Sequence, residues 1–106
     1  MKWLMALTAI TLSVPALAGR PQFEIEIKNH MFYPDRLVIP AETKVRLIVH
    51  NRDATPEEFE SFELNREKVI AGMSTTAIFV GPLSPGTYPF FGEFNLDTAQ
   101  GVIVAE

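Results

Sequence analysis

An all-β antiparallel sandwich or barrel of about seven short strands is what the sequence predicts, on three observations. Apolar residues recur with a period of two, the spacing of a half-buried strand, rather than with the helical period. Runs rich in β-branched and aromatic residues are bounded by Pro, Gly, Asn and Asp at near-regular intervals. Beyond the first stretch of the chain there is no repeat, low-complexity run or linker, so residues 19–106 read as one domain.

The first stretch, MKWLMALTAITLSVPALA, has a basic residue near its start, an apolar run and Ala16-Leu17-Ala18 as a small-x-small cleavage site. That is the anatomy of a secretory signal peptide over residues 1–18. It is too short, and too soon followed by polar residues, to read as a membrane span. Cleavage after Ala18 places the protein outside the cytoplasm, and the alternative is an uncleaved N-terminal anchor.

The strands follow in order. In QFEIEIK, Phe23, Ile25 and Ile27 take one face and Glu24, Glu26 and Lys28 the other. KNHMFYPD leaves this strand as a loop. RLVIP is stopped by Pro40, which has no amide proton for a ladder. AET then turns into KVRLIVHN, where Val45, Leu47 and Val49 alternate with Lys44, Arg46, Ile48 and His50. FESFEL reads as a strand, and ELNREKVIAG has mixed character compatible with a helical turn. STTAIFVGPL is β-branched and aromatic, SPGTYPFF is a Pro-Gly turn feeding another strand, and GVIVAE closes the sheet.

Composition excludes several functions. The formal charge is −4, and loss of Lys2 with the leader makes the remainder one unit more acidic. Nucleic acid and anionic membrane surfaces are poor partners for such a chain, because both need a basic footprint. Metal cations and basic protein surfaces remain open. With no cysteine, the domain has neither disulfides nor thiolate chemistry. Ser61, Ser74 and Ser84 lie in no His–Asp context, so hydrolase chemistry has no support. The only Trp, Trp3, lies in the leader.

The densest chemistry is in ATPEEFESFELNREK, where Glu57, Glu58, Glu60, Glu63 and Glu67 fall within eleven residues. Strand parity puts Glu58 and Glu60 on one side, opposite Phe59, while Glu57 precedes the strand and is free to turn into the loop. Carboxylates suit hard cations such as Fe3+ and Mn2+. Glu24, Glu26, Glu63 and Glu67 read as solvated faces. His30, in the KNHMFYPD loop, offers an imidazole suited to Cu2+, Fe2+ or Zn2+, and Met31 beside it offers a soft thioether. Met73 lies in AGMS, a turn. The aromatics Phe32, Tyr33, Phe90, Phe91 and Phe94 are packing residues around such a site.

The order of elements resembles the cupredoxin family. VIPAETKVRLIVHN is similar to that family's strand ending in Val-Pro-Ala-Gly followed by a strand ending in Asn, GTYPFFGEF to its G-x-Y-x-F-x-C strand, and GVIVAE to its last strand. The resemblance implies a Greek-key β-sandwich with a metal site at one end, where Glu93 and Asp97 would lie. Its copper ligands do not carry over. Gly92 stands at the cysteine position, Glu57 and Glu58 where the first histidine would follow Thr-Pro, and EFNLDTAQG supplies Asn95, Asp97 and Gln100 instead of His and Met. A blue-copper centre needs a thiolate and two imidazoles, so electron transfer of that kind is excluded.

TPEEFESFELNREKVI with FFGEF…TAQG is similar to the cupredoxin-like periplasmic proteins that accompany bacterial iron permeases. In those proteins histidine is expected at the position of Asn95, and His or Tyr at that of Phe62. The resemblance implies a periplasmic accessory of ferrous-iron uptake, with an iron permease and other uptake components as partners. Its metal ion would be iron or copper, with manganese compatible, on Glu57, Glu58, Glu60, Glu93, Asp97, His30 and Met31. An anionic oxygen site favours Fe3+ over Fe2+, which links the glutamates to a ferroxidase-like role. Other readings are a metal-free docking module for a membrane partner and a copper chaperone using Met31, Met73 and His30. A homodimer would complete a site short of ligands.

Overall fold

Nine strands carry the chain through residues 20–106, the part described by the computed structural model. The leader expectation for residues 1–18 lies outside the described residues. The strands are β1 (Gln22–Lys28), β2 (Met31–Tyr33), β3 (Arg36–Ile39), β4 (Val45–Asn51), β5 (Glu57–Ser61), β6 (Arg66–Ile70), β7 (Thr75–Val80), β8 (Gly86–Gly92) and β9 (Gln100–Ala105). They form a sandwich of a four-stranded sheet, β2-β1-β4-β7, and a five-stranded sheet, β3-β9-β8-β5-β6.

The all-β sandwich is as the sequence predicts, with two more strands and one difference in pairing. β1 runs parallel to β4 and β3 parallel to β9, so the sheets are mixed rather than antiparallel. Alternation says which face of a strand is buried, but not which strand lies beside it. Parallel neighbours arise here because the chain crosses between sheets before returning.

Each sheet buries one parity. Ile25, Ile27, Leu47, Val49, Ile78 and Val80 come from the first sheet, and Ile39, Phe59, Phe90, Ile103 and Ala105 from the second. Phe90 stacks on Phe59 at 4.9 Å and meets Phe32 edge-on at 4.8 Å between ring centroids. Such pairs add roughly 0.5–1.5 kcal/mol beyond their burial. With no cysteine in the chain, this cluster stands where many small domains carry a disulfide or metal staple.

Two local expectations change. The KNHMFYPD loop is a two-residue turn, because Lys28 pairs with Met31 and both Asn29 and His30 are left-handed (φ 53° and 60°). That is the backbone of a type I′ hairpin turn, which Asn and His tolerate better than most residues. ELNREKVIAG contains no helical turn. Asn65 (φ 57°) reverses the chain and β6 pairs with β5 from Arg66 onward. Leu64 plugs into the core, and its amide donates to Ser61 Oγ (3.1 Å). The same hydroxyl donates to the Pro89 carbonyl (2.7 Å).

Candidate functional site

Four connections meet at one end of the sandwich: the β1–β2 turn and the loops β4–β5, β6–β7 and β8–β9. Two side chains tie three of them together. Asn51, the buried last residue of β4, donates from Nδ2 to the carbonyls of Thr55 (2.9 Å), Ile70 (3.1 Å) and Ala71 (3.3 Å). Its Oδ1 accepts from the Asp53 amide (3.0 Å). Asp53 in turn accepts the Asn29 amide on Oδ1 (2.8 Å) and the His30 amide on Oδ2 (2.9 Å), while its carbonyl accepts from Met73 N (2.9 Å). Thr98 Oγ1 donates to the His30 carbonyl (2.6 Å) and joins the β8–β9 loop to the turn. Every polar backbone group engaged this way is one fewer that desolvation would penalise.

Glu57 opens β5 with the buried parity of Phe59, and it is 1% exposed. Its Oε1 accepts from Asn95 Nδ2 (2.7 Å), and its Oε2 accepts from the amides of Phe94 (2.9 Å) and Glu58 (3.2 Å). A buried carboxyl is expected to be fully hydrogen-bonded, and this one is. Its neighbour is Gly92. A Cβ there would sit 2.6 Å from Glu57 Cδ and 2.6 Å from Ala99 Cβ. Glu57 therefore fills the space that a side chain at position 92 would need, and its oxygens are taken up by the β8–β9 loop.

Glu58 and Glu60 point the other way, onto the outer face of the five-stranded sheet. Glu67 joins them from β6, directly opposite Glu60, and carboxylate oxygens of Glu58, Glu60 and Glu67 lie within 4.8 Å of one another. Glu93 closes the group: its amide donates to the Glu58 carbonyl (2.9 Å), and its charge adds to the repulsion at Glu58 and Glu60. Like charges facing each other across a sheet destabilise it. A hydrogen bond to Glu67, partial desolvation and the charges of Glu67, Glu60 and Glu93 push Glu58 above the ordinary carboxylate range. Partial desolvation, the charges of Glu67 and Glu93 and the hydrogen bond to Glu93 raise Glu60 likewise.

That repulsion is measurable. Both carboxyls hold protons more readily in the folded chain than in the unfolded one. Their contribution to stability is therefore fully present below the ordinary value of 4.5. It is lost as pH rises through the raised folded-state values. The Glu58→Gln/Glu60→Gln variant should match the parent Tm in metal-free buffer near pH 4.5 and exceed it increasingly toward neutrality. A Tm difference independent of pH would show that these carboxyls do not repel.

A cleft of about 520 Å³ adjoins this face, lined by His30, Glu93, Phe94, Asn95, Leu96, Asp97 and Thr98. Glu93 belongs to both. The predicted candidates thus divide: Glu58, Glu60 and Glu93 converge, His30 and Asp97 share the cleft with Glu93, and Glu57 turns inward between them. Met31 is exposed on β2, where its Sδ receives the Tyr33 hydroxyl at 3.8 Å, and it does not line the cleft. Sequence reasoning missed Glu67, assigned there to a solvated face, although hairpin pairing about Asn65 would have set it opposite Glu60. It also missed Asn51 and Asp53, for which no local signal exists.

The Cupredoxin-like domain family matches residues 2–105. Uncharacterized protein RP394 of Rickettsia prowazekii (strain Madrid E) is 48% identical over 83 residues, which span 78% of this chain and 66% of that protein. The chain therefore spans just under two thirds of this relative's length. Among solved structures, auracyanin A, a "blue" copper protein of Chloroflexus aurantiacus, superposes with a TM-score of 0.71 at 15% identity, over 83% of this chain and 100% of its own. The metal-binding domain of the Streptococcus pneumoniae D39 Cu(I)-exporting P-type ATPase CopA gives 0.68 at 13% identity, over 80% of this chain and 84% of its own. The purple cupredoxin of Nitrosopumilus maritimus gives 0.61 at 18% identity, over 78% and 98%. At these identities the structures share the fold alone.

Proposed function

The chain belongs to the cupredoxin-like domain family, and from that premise we propose that it is a periplasmic metal-binding accessory of ferrous-iron uptake, which holds iron on a carboxylate face for delivery to a membrane permease. The observation that carries the reading is the meeting of Glu58, Glu60 and Glu67 within 4.8 Å, with Glu93 beside them. Four carboxyls gathered from two strands and a loop at one sheet face repel one another unless protons or a cation intervene. The similarity of TPEEFESFELNREKVI and FFGEF…TAQG to iron-permease accessories supports iron as the cargo. The leader-like first eighteen residues support export.

A thiolate copper centre does not fit this chain. There is no cysteine, and the position that would carry one is Gly92, whose Cβ space is filled by Glu57 and Ala99. The residues present are oxygen donors, with His30 as an imidazole in the adjoining cleft. Oxygen donors suit iron and manganese, and an imidazole extends the range to Cu2+. Negative oxygens lower the energy of Fe3+ more than that of Fe2+, because the Coulomb gain scales with cation charge. The face therefore favours the ferric state of bound iron, which is the basis of a ferroxidase-like role.

Melting of metal-stripped protein with anaerobic Fe2+, Mn2+, Zn2+ or Cu2+ tests this. A ligand at 100 times its Kd stabilises by about 2.7 kcal/mol, so Tm should rise by more than about 10 °C for a domain of this size. Glu60→Gln and Glu67→Gln should raise the metal-free Tm and shrink the metal-induced rise, a pair of opposite signs that simple damage to the fold would not produce. Absence of a shift with every metal, or a full shift in the Glu58→Gln/Glu60→Gln/Glu67→Gln variant, sinks the proposal.

A further inference from the structure

β7 ends the four-stranded sheet, β2-β1-β4-β7, and its sequence is TTAIFV. No charged residue lies between Lys68 and Glu93. Edge strands ordinarily carry charge, proline or a bulge, because a row of open backbone groups templates a further strand. An uncharged six-residue run of β-branched and aromatic residues, without Pro or Gly, is the kind that pairs with copies of itself.

The ladder shows which groups are open. The Asn51 amide donates to the Ser74 carbonyl (2.8 Å), and the register runs from His50↔Thr75 to Val45↔Val80. Antiparallel bonding alternates, so Thr76, Ile78 and Val80 bond β4, whereas Thr75, Ala77 and Phe79 turn their N–H and C=O to the open edge. One of these groups is capped from the other sheet. Arg66 Nε donates to the Phe79 carbonyl at 2.7 Å, and Arg66 Nη1 donates to the Asn65 carbonyl at 2.9 Å.

β6 is the last strand of its own sheet, and the bond from Arg66 to Phe79 sets β6 and β7 on the same open side of the sandwich. Arg66 and Lys68 have the inward parity of β6, since they pair with the buried Ser61 and Phe59, yet both are exposed. Among the described residues neither makes an ion pair. Inward-pointing charge on an edge strand is a known way of refusing a further strand.

A second β7 matches this edge. A two-fold axis perpendicular to the sheet, beside Ala77, sets Ala77 opposite Ala77 and Thr75 opposite Phe79, the residues whose backbone groups are open. Such a pair is isologous and contains no charge. It requires Arg66 to release the Phe79 carbonyl, and it brings both β6 strands to one side, where Arg66 and Lys68 of one copy face those of the other. We propose that Arg66 and Lys68 guard the open side of the sandwich and keep β7 from adding the β7 of a second copy. None of the candidate metal ligands takes part.

The test is light scattering coupled to size-exclusion chromatography in chelator-containing buffer, on protein produced from the full chain, with circular dichroism to confirm folding. The parent should have the mass of one chain at about 100 µM, within the range where open edges associate. Arg66→Ala/Lys68→Ala should rise with concentration to twice that mass. Lys28→Ala/Lys44→Ala, which removes the same charge from exposed positions elsewhere, should stay monomeric, as should Arg66→Lys, which keeps a cationic donor. Adding Ala77→Lys to the Arg66→Ala/Lys68→Ala variant should restore the monomer, because like charges would then lie directly opposite at the axis. A dimeric parent, a monomeric Arg66→Ala/Lys68→Ala variant, a dimeric Lys28→Ala/Lys44→Ala control, or a dimer that survives Ala77→Lys each overturns the proposal.

Discussion

Glu57→Ala should lower stability by about 3–4 kcal/mol, the cost of deleting one partner in a buried, fully satisfied polar network. The carboxyl is 1% exposed, and three donors lose their acceptor with it: the Phe94 amide, Asn95 Nδ2 and the Glu58 amide. The small side chain also leaves a cavity against Gly92 and Ala99. At roughly 4–8 °C per kcal/mol for a domain of this size, calorimetry should show Tm lower by about 12–30 °C. Glu57→Gln should lose less, since its amide oxygen still accepts while its amide nitrogen faces a donor. A loss under about 1 kcal/mol for Glu57→Ala would mean that water replaces the carboxyl and that the β8–β9 loop does not depend on it.

Gly92→Ala should cost about 2–3 kcal/mol for the opposite reason, overpacking. The added Cβ would lie 2.6 Å from both Glu57 Cδ and Ala99 Cβ, closer than carbon atoms approach without displacement. Because the collision is partly with Glu57, the Gly92→Ala/Glu57→Ala double variant should be more stable than the sum of the two losses by at least about 1 kcal/mol. Urea melts of the four proteins give the coupling directly. Additivity within about 0.5 kcal/mol would show that the backbone moves aside and the two positions are independent. Coupling would make Gly92 and Glu57 two halves of one change. The position at which the resembling family keeps its cysteine is open backbone here because a carboxyl from the neighbouring strand occupies the volume.

The carboxyls of Glu58, Glu60 and Glu67 lie close enough to repel one another, and either a cation or a proton relieves them. The experiments above separate the two, since proton relief depends on pH and cation relief disappears with chelation.

Much of the fold could be read along the chain. The alternation in QFEIEIK and KVRLIVHN set the buried parity of β1 and β4 correctly, and the Pro and Gly positions marked most strand ends. The β1–β2 turn and β6 were misjudged, the first as a loop and the second as compatible with a helical turn. In both cases a left-handed Asn, Asn29 or Asn65, makes a tight reversal that hydrophobic period does not reveal. For the candidate site, parity alone separated Glu58 and Glu60 from Phe59. A strand read as beginning two residues later, at Phe59, left Glu57 free in the sequence reading, whereas it is the first, inward residue of β5.

What the sequence determined by itself was therefore local: an all-β chain, which faces of its strands are apolar, an acidic balance, the absence of thiolate chemistry and an excess of carboxylates after Pro56. What only the tertiary structure decided was which of those carboxylates meet. Glu67 joins Glu60 through hairpin register, Glu93 joins both from the start of the β8–β9 loop, distant in sequence, and Glu57 leaves them to bind that loop. Parity repeats every two residues and is written into the chain, whereas the identity of a strand's neighbour depends on packing the whole sandwich. A site made of side chains from several strands is fixed only when that packing is complete.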